Sequence, residues 1–445
     1  MKNYLALLSA FALAQSLCAQ SMQEKIATLV SAYSKQQLFN GSVLVARQGT
    51  VIYQGGTGLQ NAASRTPNTA DGIFQIGSVT KQFTAAIIMQ LQQEGRLSVH
   101  DRLDKYLPGI PNGKKITIEN LLTHTSGLHN YTDDTSFMKG DLQKPYNVAA
   151  LTTRFSSYAP DFEPGTNWAY SNTGYYLLGR VIEKVTGQPY EKVVRARIFT
   201  PLGMSHSGFD FTHLADANKT QAYFQLTENG SVPAFIVDST IAYSAGAIYS
   251  TVGDLYKWER SIYTNKILSP ASWATVFTPY RHNYGYGWDI DTLYGRTAIS
   301  HGGAIPGYQS YILRIPSDEL AVIVIDNSSK PQDALAHSLA ALVLGQPYVV
   351  PGAATETTVP EAILKQYVGV YELAPTFSIT ITLEGGGLKA QATGQQAFDL
   401  YPEKENLFFL KVVPAKVEFT KDNNGAVNGL ILYQNGQQPR AKKIK

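Results

Sequence analysis

Apolar residues recur at four-residue steps through Val79, Phe83, Ile87 and Leu91, the spacing that keeps one helical face against a core. They predict a buried helix from Ser78 to about Gln93. Ile116 to Thr125 and Asn172 to Gly187 also read as helices, the second stopped by Gly187 and Pro189. Gly41 to Tyr53 alternates like a hairpin around a polar Arg47-Gln48-Gly49 turn. Tyr311 to Asp326 returns to strand, with a bend near Pro316. Mixed helical and strand signals thus run from about Gln23 to Leu344. The early hairpin and late strands are expected to share one antiparallel sheet with helices packed around it, an α+β class.

After Leu344 the pattern changes. Gly345 to Pro360 carries three prolines and few large residues, which marks a linker. Beyond it, Phe377 to Leu383, Leu388 to Thr393, Leu407 to Val412, Val417 to Thr420 and Val427 to Tyr433 are short strand-like runs. Gly-rich or Asn-rich turns such as Asn423-Asn424-Gly425 separate them, so a small all-β barrel domain is expected. At 445 residues the chain is too long for one ordinary domain. The expected divisions are 1–19, 20–344, 345–360 and 361–445. There is no convincing internal repeat and no low-complexity segment.

The N-terminus changes the picture of where the protein works. Lys2 precedes an apolar run from Tyr4 to Ala14 and then small or polar residues, the layout of a secretory signal peptide cut after Ala19. The run is too short to span a membrane. Cys18 is the only cysteine, and Leu17 before it is bulky where bacterial lipidation signals usually show a small residue. Cleavage would leave no thiol, which excludes disulfides, cysteine catalysis and thiolate metal sites. An exported chain, periplasmic or secreted, is expected, with no stable membrane insertion after signal cleavage. The net charge of +3 is mild, and no Lys/Arg run points to nucleic acid. Oligomeric state is unreadable.

Candidate chemistry begins at the start of the predicted helix. Residues three apart on a helix are neighbours, so the Lys81 amine can lie beside the Ser78 hydroxyl. The helix dipole there favours a developing alkoxide. The plainer alternative is that Ser78 caps the helix and Lys81 is a solvated surface charge. Two later segments join the pair: Tyr170-Ser171-Asn172, just before a helix, and His301-Gly302-Gly303, between strand-like segments. His124 and His129 lack a carboxylate at ligand spacing, so neither a metal nor a cofactor is expected. A Gly-x-Ser-x-Gly elbow is absent from the sequence, which disfavours an α/β-hydrolase.

A Ser-x-x-Lys helix start, a Tyr-x-Asn loop and a strand with a polar residue before glycine, in this order, resemble the penicillin-binding protein and class C β-lactamase-like serine hydrolases. That family includes D-aminopeptidases, D-alanyl-D-alanine carboxypeptidases and carboxylesterases. Leu121-Leu122-Thr123-His124-Thr125-Ser126-Gly127-Leu128, Glu163-Pro164-Gly165, Pro201-Leu202-Gly203-Met204 and Ser250-Thr251-Val252-Gly253-Asp254-Leu255 look like the family too. The resemblance covers about Gln23 to Leu344. It implies a β-lactamase/transpeptidase-like fold with a mainly helical subdomain, Ser78 as acyl-forming nucleophile, and Lys81 and Tyr170 sharing the base role. Chemically, a serine needs an adjacent base, and a tyrosine beside an ammonium can be stabilised as phenolate. The oxyanion donors would be the backbone N–H groups of Ser78 and Ala304.

Asn172 would bind the substrate acyl amide and Lys81, unless it only caps the following helix. Gly302 and Gly303 fit close substrate approach to the strand. His301 replaces the lysine usual in penicillin-recognising enzymes, and a mostly neutral histidine cannot supply its permanent charge. This leans toward peptides or esters and away from carboxylate-anchored substrates; a purely structural histidine is the alternative. The expected activity is amide hydrolysis of small peptides, possibly with D-residues. The alternatives are a carboxylesterase, a β-lactamase or D-Ala-D-Ala carboxypeptidase, or a non-turnover sensor that binds penicillin or peptidoglycan fragments. The C-terminal domain resembles lipocalin-like barrels attached to some D-aminopeptidases, where it either shapes the active-site mouth or stabilises the protein.

Overall fold

The computed structural model describes residues 22–140, 142–434 and 437–445. The expected signal peptide and Cys18 lie outside them. Two compact units emerge: residues 39–292 with 296–332, and residues 22–38, 293–295 and 333–445.

The first unit is built on a six-stranded sheet. Its strands are β1 (Gly41–Arg47), β2 (Thr50–Thr57), β3 (Asp289–Leu293), β4 (Arg296–Ile305), β5 (Tyr308–Ile315) and β6 (Leu320–Asp326), in the spatial order β2-β1-β6-β5-β4-β3. The early hairpin and late strands therefore share one sheet. β1 pairs antiparallel with β6 from Gly41↔Asp326 to Arg47↔Leu320, and β5 with β6 from Gln309↔Asp326 to Ile315↔Leu320. The central strand β6, LAVIVID, is buried at every position, so it reads as a continuous apolar run rather than an alternation. The bend expected near Pro316 is a full reversal. A 3₁₀ turn at Pro316–Asp318 and a left-handed Glu319, φ 43°, close the β5–β6 hairpin.

Four helices of this unit concern the site. Helix α2 (Thr80–Gln93) follows a 3₁₀ turn at Gly77–Val79. The expected face of Val79, Phe83, Ile87 and Leu91 is fully buried, but so are Lys81, Thr84, Ala85 and Ile88. A helix buried on all sides belongs to the core of a large domain, and Lys81 is no surface charge. Helix α3 (Asn172–Thr186) is capped by Ser171, whose hydroxyl accepts from Gly174 N–H, and ends at Gly187. The helix expected over 116–125 is shorter, Ile118–Leu122, because the chain turns left-handed at His124, φ 58°. Helix α4 (Ser239–Gly246) contains a kink at Tyr243, φ 42° and ψ −134°.

The second unit holds helix α1 (residues 22–35) and helix α5 (Asp333–Leu344), where Tyr33 donates to the Ala334 carbonyl at 3.1 Å. Eight strands between Gly369 and Lys443 form a closed barrel. Three of them escape the sequence pattern: Gly369–Ala374, Phe398–Pro402 and Arg440–Lys443, as does a short helix, Glu361–Tyr367. The barrel interior is filled. Tyr367 stacks on Phe419 at 4.2 Å, and Phe408 meets Phe419 edge-on at 5.6 Å. Residues 345–360 contain no helix or strand, yet Thr357 N–H donates to the Pro402 carbonyl and Val359 joins the barrel core. Among the described residues no helix is long and apolar enough to cross a membrane.

Candidate active site

Ser78, Lys81, Tyr170, Asn172, His301, Gly303 and Ala304 come together where the start of α2, the start of α3 and strand β4 converge. Lys81 organises the centre. Its Nζ lies 3.0 Å from Ser78 Oγ, 2.7 Å from Asn172 Oδ1 and 2.9 Å from the Ala245 carbonyl. The side chain is wholly buried, and desolvation holds its pKa well below that of an ordinary lysine.

In its neutral form, which burial favours, the Lys81 amine has two N–H donors and one lone pair. The Asn172 and Ala245 oxygens can only accept, so they take both donors and leave the lone pair facing the Ser78 hydroxyl. The geometry is that of a base aimed at a nucleophile. Tyr243 sits in a backbone conformation normally reserved for glycine, two residues before the Ala245 carbonyl. Such outliers persist only where packing enforces them, and they cluster at functional sites.

Asn172 does not cap α3, since Ser171 does. Its Oδ1 faces Lys81 and its Nδ2 donates to Thr132 Oγ1 at 3.1 Å, which fixes the amide orientation. Tyr170 presents its hydroxyl to Ser78, and the Lys81 nitrogen stands 4.8 Å from its ring centroid. The residue is partly exposed, but its hydroxyl is buried. Burial raises the Tyr170 pKa, with the Ser78 hydrogen bond pulling the other way. Burial thus works against the charged form of each group, lowering the Lys81 pKa and raising that of Tyr170.

Gly77 and Gly303 set the distance between the Ser78 turn and β4. Gly77 has φ +51°, and a Cβ there would lie 2.7 Å from the Ala304 nitrogen. A Cβ on Gly303 would lie 2.0 Å from the Ile76 carbonyl oxygen. Two backbones therefore run in contact, with Ser310 Oγ donating to the same Ile76 carbonyl at 2.8 Å. The expectation that Gly303 makes room for substrate changes accordingly: the chain's own Ile76 occupies that approach. Gly302 has only an ordinary contact with the Tyr311 ring.

His301 is buried behind the site. Its Nδ1 donates to the Gly302 carbonyl at 2.5 Å and its Nε2 accepts from the Tyr284 hydroxyl at 2.9 Å. Burial pushes its pKa down to about 3. It is a neutral ring with both nitrogens occupied. Beside Ser78 a cavity of about 250 Å³ opens among Tyr131, Met138, Leu142, Val237, Ile241 and Ile305, with Asn172 and Ala304 at its edge. None of its described lining residues carries a charge.

A family model described as Beta-lactamase matches residues 22–346. The chain belongs to the β-lactamase family. It is a serine hydrolase of that family. A model for a domain of unknown function, DUF3471, matches residues 353–443, the barrel region. Penicillin-binding protein 4* of Bacillus subtilis (strain 168) is 28% identical over 96% of this chain and 100% of its own length. The octameric penicillin-binding protein homologue from Pyrococcus abyssi is 28% identical with a TM-score of 0.67, covering 94% of this chain and 99% of that one. A D-stereospecific amidohydrolase from Streptomyces sp. is 28% identical with a TM-score of 0.62, covering 72% of this chain and 98% of that one.

Within this β-lactamase-family site, three participants escaped the sequence reading. Ala245 acts through its carbonyl, which no side-chain pattern reveals. Thr132 and Tyr284 hold Asn172 and His301, and only their proximity in space marks them. His129 pairs with Asp161 at 2.9 Å, whereas His124 Nδ1 accepts from Ser171 N–H.

Proposed function

We propose that the protein is an exported hydrolase that cleaves amide bonds of small peptides, D-residues included, through an acyl-enzyme on Ser78. The observation that carries this reading is the buried Lys81 Nζ, held by Asn172 Oδ1 and the Ala245 carbonyl and lying 3.0 Å from Ser78 Oγ. Lys81 takes the Ser78 proton as Oγ attacks the carbonyl carbon. The N–H groups of Ser78 and Ala304 receive the oxyanion, and each such donor is worth about 100- to 1000-fold in rate. Tyr170, protonated at rest, hands its proton to the leaving amine and is reprotonated from Lys81. Water then attacks the acyl carbon and loses a proton to the neutral Lys81, relayed through the Tyr170 hydroxyl, and that proton passes to Ser78 Oγ as it leaves as its alcohol.

The uncharged cavity and the neutral His301 support apolar acyl groups and a substrate not anchored by a carboxylate. The likeness to a D-stereospecific amidohydrolase supports the D-residue arm. The same uncharged cavity also favours a second reading, carboxylester hydrolysis by the same residues. Export rests on the signal-like sequence of residues 1–19. The test is hydrolysis by wild type and Ser78→Ala of D- and L-aminoacyl p-nitroanilides, a D-Ala-D-Ala peptide, a chromogenic cephalosporin and p-nitrophenyl acetate. Preferred, Ser78-dependent cleavage of a D-aminoacyl anilide is expected. Cleavage of D-Ala-D-Ala alone would refute the inference from His301.

A further inference from the structure

The residues on either side of Tyr170 are both held by one side of the molecule, and by one residue. Ala169 N–H donates to the His124 carbonyl at 3.1 Å, and Ser171 N–H donates to His124 Nδ1 at 3.1 Å. The His124 ring lies against the Tyr170 ring, centroids 4.3 Å apart and planes tilted by 36°. Backbone, imidazole nitrogen and ring face thus bracket a single tyrosine.

His124 occupies this position against two costs. Its φ of +58° is a left-handed conformation that side-chain-bearing residues seldom adopt, although asparagine and histidine tolerate it better than most. Because Nδ1 accepts a hydrogen bond, the proton of the neutral ring sits on Nε2. That Nε2–H is buried and, among the described residues, finds no partner. A leucine would fill the space without a stranded donor, so packing alone does not account for an imidazole here.

From this bracket we infer that His124 is a positioning residue that fixes the Tyr170 hydroxyl over Ser78. The inference rests on Tyr170 acting in proton transfer, as proposed above. It requires an acceptor at the Nδ1 position and tolerance of φ +58°, and does not require the imidazole's second nitrogen.

Two variants separate these requirements, because both tolerate the backbone. His124→Asn places Oδ1 where Nδ1 stands, whereas His124→Gly offers no side-chain acceptor. On the best p-nitroanilide substrate, His124→Gly is expected to lose about 100-fold in kcat, the cost of a misplaced catalytic group, with KM little changed. His124→Asn is expected to keep kcat within about tenfold of wild type. Wild-type kcat in His124→Gly, equal losses in the two variants, or a change confined to KM would each overturn the inference. Should thermal unfolding show that His124→Gly does not fold, His124→Asn decides: a folded variant with a loss of about 100-fold overturns it, and near-wild-type kcat supports it. Ser78→Ala runs beside them. An active Ser78→Ala would remove the underlying mechanism, while an inactive Ser78→Ala with a fully active His124→Gly would remove only the role of His124.

Discussion

Buried tyrosines occur in both units, and they do different things. In the barrel, Tyr367 stacks on Phe419 and Tyr371 donates to the Tyr367 carbonyl. In the hydrolase unit, the Tyr170 hydroxyl is buried against Ser78, and its ring lies near Lys81, His124 and His301. Burial raises the pKa of the tyrosine hydroxyl in both places. A raised pKa is therefore no mark of a site by itself, since desolvation alone produces it. What distinguishes Tyr170 is a hydroxyl hydrogen-bonded to Ser78, with the Lys81 nitrogen 4.8 Å from its ring centroid.

The comparison breaks most visibly in rates. Lys81→Ala should lower kcat about 10²- to 10⁴-fold while the protein still folds, measured by steady-state hydrolysis alongside circular dichroism. If Lys81→Ala kept wild-type kcat, the base would lie elsewhere. Tyr170→Phe should fall in the same range, whereas Tyr371→Phe loses one neutral hydrogen bond and should cost about 1 kcal/mol of stability. Phe419→Ala, which empties the centre of the barrel, should cost about 3–5 kcal/mol, read from a denaturant midpoint.

A smaller, pH-dependent effect belongs to His301. Its folded pKa of about 3 lies below the ordinary value near 6.5, so between these limits the unfolded chain binds the extra proton. Stability from this group is full above pH 6.5 and falls as pH drops toward 3. His301→Asn should flatten that part of the curve in pH-dependent unfolding; an unchanged slope would contradict a neutral, buried ring. The smallest effect expected is at Thr132. Thr132→Val removes one neutral hydrogen bond to Asn172 and should cost about tenfold in kcat/KM or less.

Much of the fold was legible in local pattern. The four-residue spacing marked α2, and Gly187 with Pro189 marked the end of α3. The periodicity showed one buried face of α2, however, and could not show that neighbours cover the rest. For that reason the burial of Lys81, on which its chemistry depends, was invisible. The missed barrel strands are short and carry charge or proline, as in Arg440–Lys443 and Phe398–Pro402, so no alternation of adequate length announces them. The Ala245 carbonyl was beyond reach for a different reason: backbone groups leave no trace in residue type. His124 was present in the motif reading, but only its hydrogen bonds to the residues flanking Tyr170 suggest what it does.

The central claim is that Ser78 carries the acyl group. Rapid-quench mass spectrometry of the protein with its best p-nitroanilide or ester substrate tests it most directly. The account expects a transient mass increase equal to the acyl group on the peptide containing Ser78, absent from Ser78→Ala, and decaying at the rate of product release. Turnover without an adduct on Ser78, or an adduct on another residue with undiminished activity in Ser78→Ala, would contradict it.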